Sequence, residues 1–130
     1  MDNATDLSSI FRAYANAANA HDFVKIRRYL APTIRFNNAE ISQDEYLAPL
    51  DGLISGFPDW RWDAQHILFD GELVAAYIKD SGTHKGIFAG IEPTGREVVA
   101  WEFAHYRITD GQISEVWVAI DLAGIIQQIS

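Results

Sequence analysis

Trp101-Glu102-Phe103-Ala104-His105-Tyr106-Arg107-Ile108, continuing through Thr109-Asp110-Gly111-Gln112-Ile113 to Glu115-Val116-Trp117, is the stretch whose reading decides the fold. Two runs rich in aromatic and β-branched residues flank an Asp-Gly, the strongest short-range sign of a β-hairpin with a type I′ turn. Successive strand side chains point to opposite faces. One face therefore carries Val98, Ala100, Glu102, Ala104, Tyr106 and Ile108, and the other Val99, Trp101, Phe103, His105 and Arg107. On the following strand Val116 and Val118 share a side, with Glu115, Trp117 and Ala119 opposite. Neither face reads as wet, so the sheet needs two covers, of which helices supply one. The second is expected to be another copy of the chain, giving a homodimer through Trp101, Phe103, His105 and Trp117. Glu102, among apolar neighbours, must reach solvent, find a partner or stay unionised.

Upstream, Leu7, Ile10, Phe11, Tyr14, Ala15 and Ala18 recur at helical spacing, with Thr5 or Asp6 as N-cap. Asp22 caps a second short helix carrying Phe23, Ile26 and Leu30, which Pro32 is expected to end. Thr33-Ile34-Arg35-Phe36 reads as a short strand leading to Asn37-Asn38. Ser42 and Glu45 form a capping box, flanked by Ile41 and Tyr46 as a hydrophobic staple, so a third helix starts there and ends at Gly56 before Pro58. Its buried stripe is Tyr46, Leu47, Leu50, Leu53 and Ile54. The period then turns strand-like: Trp60, Trp62, Ala64, His66 and Leu68 are expected on one face, up to an Asp70-Gly71 turn, with residues 73–78 returning as the partner strand. The glycines of Ser81-Gly82-Thr83-His84-Lys85-Gly86 suggest a bulge or bend, Pro93-Thr94-Gly95 a turn, and Asp121 the cap of a terminal helix. The expected order is α-α-β-α-β-β-β-β-α, an α+β domain over residues 1–130 in which helices cover one face of a curved antiparallel sheet.

The 130 residues with 48% hydrophobic content suffice for one packed core. A net charge of −8, with ten scattered basic residues, argues against nucleic acid as a partner. The chain has no cysteine, which removes disulfides and thiol chemistry. With no signal-like start and no membrane-length apolar run, the expectation is a cytoplasmic protein without a membrane partner. The histidines at 21, 66, 84 and 105 lack the short helical spacing of a typical metal site, so no metal is expected; with no phosphate-cradling loop either, no cofactor is expected. His84 is read as stabilising the bend.

Phe57-Pro58-Asp59, Gly82-Thr83-His84-Lys85-Gly86, Pro93-Thr94-Gly95, Arg107 with Asp110-Gly111-Gln112-Ile113, and Glu115-Val116-Trp117 with Ile120-Asp121 and Gln127 together resemble the SnoaL-like polyketide cyclase family. The resemblance spans almost the whole chain and is nearest to a subgroup of unassigned function carrying a Glu102-type acid with Asn38. It implies the cone-shaped nuclear-transport-factor-2-like fold, a helix-lined pocket and dimerisation through the outer sheet face. Cyclases of the family close a ring by intramolecular aldol chemistry without a cofactor, using an aspartate and a histidine. By this resemblance the histidine falls at Ala104, the aspartate at Val118 and a second histidine position at Val116, none of which transfers a proton. Glu102 falls where the cyclases place a pocket-facing glutamine.

Glu102 is thus the candidate catalytic residue, acting as general acid or base; the competing reading is an ion pair with Arg35, Arg61 or Lys79. Candidate pocket residues are Tyr14, Asn38, Trp60, Trp62, Ala104, Tyr106, Val116 and Val118. Asn38 serves equally as a turn former, and Tyr14, Trp60 and Trp62 as plain core. The expected function is binding of a small apolar molecule with acid–base chemistry at Glu102. The alternatives are aldol cyclisation of a polyketide ester, or a non-catalytic ligand-binding dimer.

Overall fold

The computed structural model describes residues 3–130, and side-chain surroundings from residue 6 onward. In chain order it comprises α1 (Asn3–Asn19), α2 (Phe23–Arg28), β1 (Leu30–Phe36), β2 (Ala39–Ser42), α3 (Gln43–Gly56), β3 (Arg61–Asp70), β4 (Leu73–Thr83), β5 (Glu97–Thr109), β6 (Gln112–Ile120) and α4 (Leu122–Ile129). The six strands form one curved, unclosed sheet in the order β2-β1-β6-β5-β4-β3. All neighbours are antiparallel except β1 and β6, which run parallel and make the sheet mixed. This is the expected α+β architecture, with helices on the concave face.

Local chemistry explains most boundaries. Asp110 and Gly111 take φ of +52° and +79°, the type I′ geometry that lets β5 fold directly onto β6. Ser42 accepts from the Glu45 backbone while the Glu45 carboxylate accepts from the Ser42 N–H, closing the capping box of α3. Asp22 accepts from Lys25 N–H and Asp121 from Gly124 N–H, capping α2 and α4. α1 already begins at Asn3, so Thr5 and Asp6 lie inside it rather than at its cap.

Several expectations give way to pairing. Asn37 and Asn38 take φ of +45° and +74° and turn β1 into β2, a four-residue strand too short to show a period. α2 ends at Arg28, and Pro32 lies within β1 where its pairing with β6 is interrupted between Leu30 and Arg35. The β3–β4 turn is centred on Gly71-Glu72 because Asp70 still pairs with Leu73. A register shift between Ala64 and His66 reverses the faces of β3. Ile67 and Phe69 thus pack on the core, while His66 stacks on Tyr77 and Leu68 stands 69% exposed on the outer side. Strand β4 continues unbroken to Thr83, past Gly82, where a Cβ would come within 2.8 Å of the Trp60 ring. The bend follows at His84-Lys85-Gly86.

Three side-chain amides stand in for missing strands. Asn19 bonds both the N–H and the C=O of Trp62 at 2.8 and 2.9 Å, Asn37 does the same to Val118, and Gln128 to Val99. Each satisfies backbone groups that have no neighbouring strand on that side. The core divides into a large cluster between α1, α3 and the concave sheet face, and a smaller one of Phe57, Trp60, Val98, Ala100, Ile125 and Ile129 under α4.

Two glycines with opposite surroundings test this packing. A Cβ on Gly86 would lie 2.1 Å from the Ser55 carbonyl oxygen, whereas one on Gly52, inside α3, meets nothing within 4 Å. Gly86→Ala is expected to lower the urea midpoint by the equivalent of more than about 2 kcal/mol. Gly52→Ala is expected to raise it by about 0.5–1 kcal/mol.

Candidate functional site

Helices α1 and α3 lie across the concave face of β3–β6 and leave a cavity of about 180 Å³ between them. Phe11, Tyr14, Ala15 and Ala18 line it from α1, Tyr46, Pro49, Leu50 and Leu53 from α3, and Phe36 from β1. The sheet contributes Trp62, Ala64, Ile78, Glu102, Tyr106, Val116, Val118 and Ile120. The wall is apolar apart from Glu102 and the hydroxyls of Tyr14, Tyr46 and Tyr106. A concave apolar lining with a few convergent polar groups is the usual form of a small-molecule site.

The alternation along β5 places Glu102, Ala104 and Tyr106 inward and leaves Trp101, Phe103 and His105 exposed. Tyr14, Trp62, Tyr106, Val116 and Val118 all reach the cavity. The other three candidates do not. Ala104 is buried on the same face, but its methyl is covered within the core. Asn38 is an exposed turn residue, pointed away by the hairpin it closes. Trp60, one residue before β3, turns into the smaller cluster against Phe57 at 5.2 Å. His84 is buried beside the same Phe57 and binds the Thr94 N–H and hydroxyl through Nδ1, tying the bend to the following turn. The four histidines occupy separate places.

Glu102 is only 6% exposed, and its Oε1 has no donor within reach. None of the cations considered for it arrives: Arg35 turns to Glu115 at 3.7 Å, Arg61 is opposite Ser81, and Lys79 is opposite Trp101 on the outer side. Facing Glu102 is a cluster of phenols. The hydroxyls of Tyr14 and Tyr46 are 2.5 Å apart, and the Tyr106 ring stands 5.7 Å from that of Tyr14, edge-on. Burial raises the Tyr14 hydroxyl to about 12 against the hydrogen bond from Tyr46, and raises Tyr46 and Tyr106 well above their ordinary value, with the Glu102 charge acting in the same direction on all three. At neutral pH they are therefore proton donors, aimed into an apolar space.

A second carboxyl lies behind the first. Asp80 is fully buried, and neither of its oxygens meets a donor. Burial first, then a hydrogen bond and the charge of Glu102, pushes Asp80 up to about 10, so it keeps its proton at neutral pH. Alternation carried from Val74, Ala76 and Ile78 two residues further puts a charge on this buried face, a signal that lies beyond the 73–78 segment the sequence pattern marks as strand.

The family description for SnoaL-like polyketide cyclases matches residues 8–129. The chain belongs to that family. Its fold is the nuclear-transport-factor-2-like cone of its structural neighbours. IdmH from Streptomyces antibioticus, described as a candidate polyketide cyclase, is similar at 26% identity with a TM-score of 0.83, over 94% of this chain and 96% of that one. A SnoaL-like polyketide cyclase from Agrobacterium tumefaciens is 25% identical with a TM-score of 0.80, over 95% and 98%. AclR from Streptomyces galilaeus, described as a candidate hydroxylase, shares the fold with a TM-score of 0.87 at 24% identity, over 96% and 81%. No curated protein matches by sequence. Among the described residues, no helix is long and apolar enough to cross a membrane.

The protonated Asp80 has a thermodynamic signature. Its proton is held in the folded state and released in the unfolded state above the ordinary carboxylate range. Stability is therefore fully present at low pH and falls as pH rises towards about 10. Between about pH 5 and about pH 9, urea midpoints of the wild type are expected to fall as the pH rises, at most by the equivalent of one proton released per molecule unfolded. Asp80→Asn should remove this component, and a wild-type profile as flat as the variant's would contradict it.

Proposed function

We propose that this protein binds a small, largely apolar, enolisable carbonyl compound and transfers a proton on it through Glu102. The observation that supports this most is the placing of Glu102: a buried carboxyl on an apolar cavity wall, without a cationic partner among the described residues, facing three phenols kept neutral. In the proposed step Glu102 takes a proton from the carbon next to the carbonyl. The C–H electron pair moves into the enolate, and a tyrosine hydroxyl donates to the oxygen where charge develops. The enolate then recovers a proton, or attacks a second carbonyl of the same molecule. Neither branch requires an electron acceptor.

Family membership supports chemistry of the enolate and aldol kind, but not through the usual residues. Val116 and Val118 line the cavity where the resemblance places a histidine and an aspartate, and neither valine moves a proton. Glu102 is the carboxyl on this wall, so the acid–base work is assigned to it, with Tyr14 and Tyr106 polarising the oxygen.

The proposed assembly is a homodimer through the outer sheet face. Phe103 is 63% and Trp101 43% exposed, and Tyr77 stacks between His66 and Trp101 at 5.9 and 5.2 Å. His105 and Trp117 extend the band, with Arg107 at 5.9 Å over the Trp117 ring. A contiguous apolar face of this kind is more characteristic of an interface than of free surface.

The acid–base reading is tested with β-tetralone, a bicyclic ketone whose α-hydrogens exchange with deuterium oxide. The protein is expected to accelerate the exchange seen by NMR, and Glu102→Gln to reduce that acceleration at least about 100-fold. Retention of the rate in Glu102→Gln would remove Glu102 from the reaction. For the assembly, sedimentation at micromolar concentration should show a dimer that Phe103→Glu dissociates; a wild-type monomer would exclude it.

A further inference from the structure

Asp80 has no role in the reading above. It does not line the cavity, yet it is fully buried one step behind the wall that does. The β4–β5 ladder fixes its neighbours: Ile78 pairs with Glu102 and Asp80 with Ala100, so Asp80 and Glu102 are diagonal partners on the concave face. Diagonal pairs of this type are close enough for long side chains to meet. The polar neighbour that acts on Asp80 is the Glu102 carboxyl. Among the described residues no donor reaches either oxygen of Asp80 or Oε1 of Glu102. Two carboxyls meeting in a dry place cannot both ionise, and a hydrogen bond joins them only if one carries a proton.

We infer that Asp80 is a positioning residue that shares a single proton with Glu102, fixing Oε1 of Glu102 towards β4 and leaving its second oxygen as the one that meets a ligand. The inference rests on the acid–base reading of Glu102 and adds what holds that group in place. The shared proton stays between the two carboxyls, and the proton taken from the ligand goes to the other oxygen of Glu102. Among the described residues no charge other than that of Glu102 acts on Asp80. β3 presents Trp62 opposite Asp80, and α4 brings Ile125 and Ile129 beside Val98 and Ala100. The titratable groups nearby are Tyr106 on β5, on which the Asp80 charge acts, and Tyr14 and Tyr46 on α1 and α3, on which the Glu102 charge acts.

The test is a carboxyl-resolved NMR titration of the full chain labelled at aspartate and glutamate side chains. In the wild type the Asp80 carbon should show the shift of a neutral acid at neutral pH. Glu102→Gln should move the Asp80 midpoint down by at least about one pH unit, a tenfold change in its proton affinity. An ionised Asp80 at neutral pH, or an Asp80 midpoint unmoved by Glu102→Gln, would overturn the shared proton. Should the Asp80 variants fail to fold, the Glu102→Gln titration decides alone. With β-tetralone, Asp80→Asn should retain more of the exchange than Asp80→Leu, and the two pH profiles should differ; equal rates and identical profiles would overturn the positioning role. Coupled titrations with exchange indifferent to Glu102→Gln would leave the carboxyl pair standing and remove the acid–base reading. Exchange lost in Glu102→Gln with uncoupled titrations would do the reverse.

Discussion

Eleven consecutive residue pairs between β4 and β5, from Leu73 with Arg107 to Thr83 with Glu97, run without a register break. Everything chemical in this protein depends on that ladder. A slip by one residue would exchange the faces, putting Trp101 and Phe103 into the core and Glu102 into water. Neighbouring ladders are less regular: β3 shifts at Ala64/His66 and β6 at Arg107/Ile108, where Ser114 is the extra residue. The central pair is thus the rigid frame, and irregularity is confined to the strands beside it, where it increases twist and helps curve the sheet.

The two faces of this frame handle charge in opposite ways. Outside, Glu115 sits among cations: it accepts from Arg107 at 3.4 Å and faces Arg35 at 3.7 Å, while Arg107 also approaches Glu72. Inside, two carboxyls and three phenols meet with no cation among the described residues. A cation would quench both acids and hold them ionised. Its absence there leaves proton sharing as the means by which a buried acidic pair avoids mutual repulsion.

What could be read from the residues was whatever rested on strong local chemistry. The Asp110-Gly111 turn, the Ser42/Glu45 box, the Asp22 and Asp121 caps and the alternation of β5 are each dictated by a few neighbouring atoms. Tertiary pairing decided what was missed. Strand β2 is four residues long, and no period can be seen in so short a segment. The bulge at β3, which sends His66 and Leu68 outward, is imposed by pairing with β4 rather than by residue type. Asp80 was hidden by the glycine after it: Gly82 signals a break when taken alone, but sits in a regular strand because the Trp60 ring occupies the space a side chain would need. Trp60 and Trp62 share a parity yet part company, since Trp60 lies before the strand begins and turns into the smaller core cluster.

The amide clamps have a further consequence. An unclosed sheet leaves strand edges whose free N–H and C=O groups form a template on which foreign strands can add. On β3, which lies at the sheet's margin, Asn19 occupies both groups of Trp62, and His21 engages the Trp60 carbonyl at 2.7 Å just before the strand. The end of α1 thereby acts as a guard against intermolecular β-sheet growth along the start of that edge. Resistance to aggregation is thus built into the same helix that walls the cavity, and sequence change along α1 is constrained by the exposed strand edge as well as by the cavity lining.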